Sequence, residues 1–259
     1  MSDAVLYEIV NAVAYVTINR PDVRNAIDTA TCELLEATLT TCVTDPGVRV
    51  IVIRGAGDRA FVSGADVREF RDKLGTPEGA IAYDEAVERM QQVIRSAPQP
   101  VIAAIQGHAI GNGCVLAVAC DFRVAGARAK FGIPIAKFGF FLGPPDTVRL
   151  AELIGEAHAR RLLMTGAVID AEAALSIGLV DDVHETDVLD NAVTQFAEKL
   201  ASNAPLSLKA TKQILARFVS HSPTIADGMP WYREVYASED LKEGINAFFD
   251  KRPPSFTGK

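Results

Sequence analysis

The chain has 259 residues, 49% of them hydrophobic and 23% charged, enough to bury a sizeable core as one large domain or as a core with an extension. A net charge of −7 gives no electrostatic reason to bind nucleic acid or an acidic membrane, although local cations and helix ends still decide whether a small anion binds. No apolar run approaches the ~18 residues of a spanning helix, and MSDAVLYEIV lacks the basic and long apolar regions of an export signal.

A cytoplasmic protein is therefore expected, with Cys32, Cys42, Cys114 and Cys120 reduced and mostly buried, since no CxxC pair occurs. The four histidines (His108, His158, His184, His221) are scattered without an HExxH or Cys/His cluster, so no metal site is expected. In chain order, AVAYVTINR (12–20) is near period two and reads as a strand. Residues 28–43 read as a helix capped by Asp28, and VRVIVIRG (48–55) as a β-branched strand. A longer helix over 77–96 follows Thr76-Pro77, and PVIAAIQG (100–107) and DFRVAG (121–126) are further strands. This alternation predicts an α/β core with largely parallel pairing.

From about residue 146 strands nearly vanish. DVLDNAVTQFAEKL sets Val188, Leu189, Ala192, Val193, Phe196, Ala197 and Leu200 on one helical face, and helices near 205–219 and 238–250 follow. The expected organisation is a core over 1–197 and a helical region over 198–259, whose tail KRPPSFTGK frays or docks on a partner.

Residues 108–121, HAIGNGCVLAVACD, run from a glycine-rich turn into an almost wholly apolar segment. Such a turn aims backbone N–H groups at an anion or a developing oxyanion, and Gly111 and Gly113 allow close approach. Four stretches together carry a resemblance: INRPDVRNAID (18–28), AFVSGADVREF (60–70), AIQGHAIGNGCVLAVACDFRVAG (104–126) and GINAFFDKRPPSF (244–256). In this order and spacing the chain resembles the enoyl-CoA hydratase/isomerase, or crotonase, family. The resemblance implies an α/β spiral of repeated ββα units, with C-terminal helices that mediate a homotrimer or a dimer of trimers. It implies an acyl-CoA ligand, with coenzyme A as part of the substrate and no separate cofactor. By alignment, the thioester oxygen would sit between the N–H groups of Ala65 and Asn112. Ser63, Gly64, Ala65 and Asp66 would line adenine and pantetheine, Gly111 would belong to the oxyanion turn, and Arg24 would lie near the phosphates. Phe248 and Lys251 match a helix that closes over CoA.

The chemistry departs from that pattern. The positions where a hydratase of the family holds water between two glutamates are Val115 and Ile135, and the aspartate used in the dienoyl isomerase branch aligns with Gly143. Hydrocarbon at both glutamate positions neither moves a proton nor holds a water. Substitute proton carriers are Asp146, whose ordinary role would be capping a helix from Thr147, and His108, which follows a strand directly. Asp66 is expected to cap a helix over 67–73, and Glu69 to face solvent or Arg68. Tyr83, Asp84 and Glu85 stand in a segment whose entry into the pocket the sequence leaves open.

Overall fold

The computed structural model describes residues 4–66, 68–69, 76–218 and 229–259, apart from the side chains of Trp231, Tyr232 and Phe248. The chain opens with a hairpin in which β1 (Val5–Val10) returns as β2 (Val13–Ile18). The two connecting residues, Asn11 and Ala12, both have positive φ (50° and 65°), as the twist of a two-residue hairpin turn requires. Val5–Val10, where the sequence reading expects no element, therefore contribute an edge strand.

β2, β3 (Val50–Gly55), β5 (Val101–Ile105), β7 (Phe122–Gly126) and β10 (Asp182–His184) continue the sheet in parallel, in the order β1-β2-β3-β5-β7-β10. A smaller sheet of β4 (Ala60–Val62), β6 (His108–Ile110), β8 (Lys130–Gly132) and β9 (Val168–Asp170) is parallel except for β9. The chain visits the two sheets alternately, which winds it into a spiral of ββα turns. α1 (Thr29–Thr44) is capped by Asp28, whose carboxylate accepts from Thr31 N at 2.8 Å. α2 (Pro77–Ser96) is capped by the Thr76 hydroxyl, and α3 (Asn112–Ala119) follows β6. Then come α4 (Pro144–Ile154), α5 (Glu156–Thr165), α6 (Ala171–Ser176), α7 (Leu189–Ala201), α8 (Pro205–Phe218), α9 (Met229–Tyr236) and α10 (Glu239–Asp250).

Both faces of the large sheet are buried, so its strands read as continuous apolar runs. One face packs Val16, Ile51, Ile53 and Ala103 against α1, α2 and the small sheet. The other packs Val13, Tyr15, Val52 and Ile102 against Leu189, Val193, Ala197 and Leu200 of α7. Because α7 runs through residue 197, the expected boundary at 197/198 falls inside it, and the helical region is separated from it by Ser202–Ala204. The four cysteines are buried and free, and desolvation pushes the thiols of Cys32, Cys114 and Cys120 up to about 12.

The end of the tail is tied to its own chain. Lys259 O accepts from the Glu239 N–H at 2.7 Å, and Asp240 accepts from the N–H groups of Thr257 and Gly258, so the last residues brace the start of α10. Among the described residues no helix is long and apolar enough to cross a membrane.

Candidate active site

The register of β4 and β6 brings two turns together. Ala60 faces His108 and Val62 faces Ala109 in parallel, so both strands end at one edge, where ligands of such sheets bind. There β4 gives way to Ser63–Ala65 and β6 to Gly111–Asn112. The turns touch: a Cβ on Gly111 would lie 3.6 Å from the Gly64 Cα. Gly111 sits at φ 53°, ψ −119°, a conformation reserved for glycine, and serves as N-cap of α3. Gly113 is required for a different reason, because a Cβ there would stand 2.1 Å from the Val62 carbonyl oxygen. Its absence lets α3 abut β4.

The backbone donors of the two turns divide into engaged and unpartnered ones, the latter including, among the described residues, Gly64 and Gly113 beside Ala65 and Asn112. Ser63 N–H donates to Arg24 O, Asp66 N–H to Ile27 O and Gly111 N–H to Gly132 O, at 3.2, 3.0 and 2.8 Å. Among the described residues, the N–H groups of Ala65 and Asn112 have no acceptor within the protein. The first belongs to the Ile27–Ala65 bridge, whose hydrogen bonds use its neighbours instead. The second lies in the first turn of α3, where amides lack an intrahelical partner and the helix dipole is positive.

A buried clasp fixes the second turn. Asn112 Nδ2 donates to the Tyr83 hydroxyl at 2.5 Å, and that hydroxyl donates to Ile27 O at 2.9 Å. Burial, reinforced by Cys32 and Glu69, pushes the phenol well above its ordinary value, so it stays neutral. One side chain thereby joins α2, the bridge at Ile27 and the start of α3. Tyr83 carries no distinguishing sequence signal, because an aromatic on the buried face of a helix also reads as core.

The other expected residues fall into two groups. Val115 is 3% exposed and shares one apolar cluster with the partly buried Ile135, which lies in a 3-10 turn over Pro134–Phe138. Leu142, immediately before Gly143, packs against the same cluster. Arg24 is in the left-handed region and supplies the carbonyl that positions Ser63. Asp66 has its N–H engaged and its carboxylate buried, held well below the usual range by Arg68 and Arg20. It is an anchor of the turn and lines the site with no free donor. It accepts from Arg68 N as a cap would, although most of the helix expected over 67–73 lies outside the described residues. Glu69 is half-buried and accepts from the N–H and hydroxyl of Thr29 at 2.9 and 3.0 Å.

Two expectations for the proton carrier need correction. His108 is exposed at the opposite end of β6 from the turn, with Nδ1 3.0 Å from Arg59 O. It lines a separate cavity of about 340 Å³ with Arg24, Asp58, Arg59, Gly107 and Arg128. Asp146 is not an N-cap: α4 begins at Pro144 with Gly143 as cap, and Asp146 in the first turn pairs with Arg149 at 2.6 Å. Lys251 is exposed at the end of α10, and the side chain of Phe248 lies outside the described residues.

This architecture has well-matched counterparts. A family model described as enoyl-CoA hydratase/isomerase matches residues 8–259. An (E)-benzylidenesuccinyl-CoA hydratase of Thauera aromatica is 37% identical, covering 98% of this chain and 99% of its own. A short-chain-enoyl-CoA hydratase of Clostridium acetobutylicum is 35% identical over 96% and 95% of the two chains. The crystal structure of an enoyl-CoA hydratase/carnithine racemase from Magnetospirillum magneticum superposes with a TM-score of 0.96 at 34% identity, covering 100% of this chain and 97% of that one. The chain belongs to the enoyl-CoA hydratase/isomerase (crotonase) family and has its fold.

Proposed function

We propose that this protein is an acyl-CoA enzyme that holds its thioester carbonyl between the N–H groups of Ala65 and Asn112 and stabilises the enolate or tetrahedral oxyanion formed there. The observation that carries the reading is the pair of unpartnered backbone donors at the adjacent ends of β4 and β6. A donor fixed before the reaction costs no reorganisation as charge develops, and each is typically worth about 3–4 kcal/mol of barrier. Relatives named as hydratases of CoA thioesters support the substrate class.

The two-glutamate route to hydration does not suit this chain, because Val115 and Ile135 are the side chains at those aligned positions and both pack in hydrocarbon. Decarboxylation, thioester hydrolysis, C–C cleavage and proton transfer at carbon each depend on the oxyanion donors more than on that pair. The apolar wall also favours a second reading, a CoA-ester-binding homologue or partner of an active paralogue that turns nothing over. A panel of CoA esters separates the two: thioester loss, C–C cleavage or proton exchange supports the enzyme, and tight binding without any turnover supports the second. The double variant Val115→Glu/Ile135→Glu is expected to gain measurable hydration of crotonyl-CoA. Hydration by the unaltered protein at a rate typical of the hydratases would overturn this account.

A further inference from the structure

We propose that Asp84, on α2, is the carboxylate that moves the proton in this site, an inference that rests on the thioester lying at the Ala65–Asn112 turn. Tyr83 reaches the Asn112 side chain, and the next residue stands about 100° further round the same helix. There the Asp84 carboxylate faces the chain entering α4: its Oδ2 lies 3.5 Å from where a Cβ on Gly143 would be. Leu142, the residue before Gly143, packs against the apolar cluster that holds Val115 and takes in Ile135, so Gly143 borders that cluster. Gly143 puts no side chain between that carboxylate and the backbone entering α4.

Asp84 is also the acid this corner does not use. Asp146 pairs with Arg149 at 2.6 Å, and Glu88 pairs with Arg95 and Arg149 at 2.5 and 2.8 Å. Among the described residues the Asp84 carboxylate has no hydrogen bond or ion pair, and its residue stays exposed. Although the residue as a whole is exposed, partial burial of its carboxyl first, then the negative charge of Asp146 on α4, raise it above the ordinary carboxylate value, the direction that suits a general base. Asp146 is the charged neighbour acting on it, with Arg149 and Glu88 joined to Asp146 behind.

The step balances without a co-reactant. The Asp84 carboxylate takes a proton from the carbon next to the thioester carbonyl. The C–H electron pair becomes the enolate double bond, and the carbonyl pair moves onto the oxygen between the two N–H groups. The neutral Asp84 then returns the proton to that carbon, or to the far end of a conjugated system, and is a carboxylate again.

The test is hydrogen exchange in D2O, read by mass spectrometry at the α-carbon of butyryl-CoA and the γ-carbon of crotonyl-CoA, with calorimetric binding in parallel. The protein is expected to exchange at least one of them, and Asp84→Asn to lose about 100- to 10,000-fold in rate with binding within a few-fold. Asp84→Glu should recover part of it. In Asp146→Asn the acid limb of the rate profile should move to lower pH, since removing a negative charge lowers the Asp84 value. Exchange at an undiminished rate in Asp84→Asn, or none in the unaltered protein with both thioesters bound, overturns the role of Asp84 alone. Failure to bind either thioester overturns the reading of the turn itself.

Discussion

At Asn112 the main chain and the side chain have different partners, and substitution can separate them. Proline is well tolerated in the first turn of a helix, so Asn112→Pro deletes the N–H while sparing α3. Turnover is expected to fall about 100- to 1,000-fold relative to Asn112→Ala, which keeps the N–H and loses only the contact to Tyr83. Steady-state rates for the two variants decide it, and equal rates would count against an oxyanion role. Tyr83→Phe leaves Asn112 Nδ2 without its partner and Ile27 O with the Asp66 N–H alone, and urea unfolding should show about 1–3 kcal/mol less stability. At this scale the glycine turn was legible as a strand-to-helix turn, and it pointed to an oxyanion site only beside SGAD and the family resemblance. The Tyr83 clasp was not, since its partners are 29 and 56 residues away.

Among the elements, helix starts with a side-chain cap were readable, and Asp28 and Thr76 serve as expected. Asp146 misled because Pro144 and Pro145 look like a breaker before a helix, whereas proline fits the first helical positions and α4 had already begun. The strands of the small sheet have three residues each, too few to display alternation, so the edge that carries the two turns was visible only through the family resemblance. The Asp66 anchor makes a prediction at this scale. Its side chain is 4% exposed and its folded value is depressed, so its stabilisation is complete above the ordinary carboxylate range and is lost as pH falls through that lower value. Denaturant midpoints from pH ~5 downward should therefore fall more steeply for the unaltered protein than for Asp66→Asn. At pH 7 the variant should be less stable by about 2–3 kcal/mol, the lower part of the range for a buried pair because Arg68 is 65% exposed.

For the whole molecule, strand–helix alternation was sufficient to predict parallel pairing. The division into two sheets was not predictable from it, because each strand's partners are set by contacts across an entire turn of the spiral. Phe138, Phe141, Val148, Met164 and Val168 leave large apolar side chains open on the 3-10 turn, the loop after it, α4, α5 and β9, Phe141 to 81%. With the trimer or dimer of trimers that the family resemblance implies, light scattering is expected to give three or six times the 27.8 kDa chain mass, and a monomer would overturn that assembly. The buried cysteines offer a separate use. Thiols sealed from water, pushed to about 12 at Cys32, Cys114 and Cys120 and raised at Cys42, are nearly inert to a disulfide reagent, and each becomes an ordinary reactive thiol once its surroundings part. Labelling would thus proceed at the pace of opening, and the order in which the four sites react would time the separation of α1, which bears Cys32 and Cys42, from that of α3 and the residue that ends it, which bear Cys114 and Cys120.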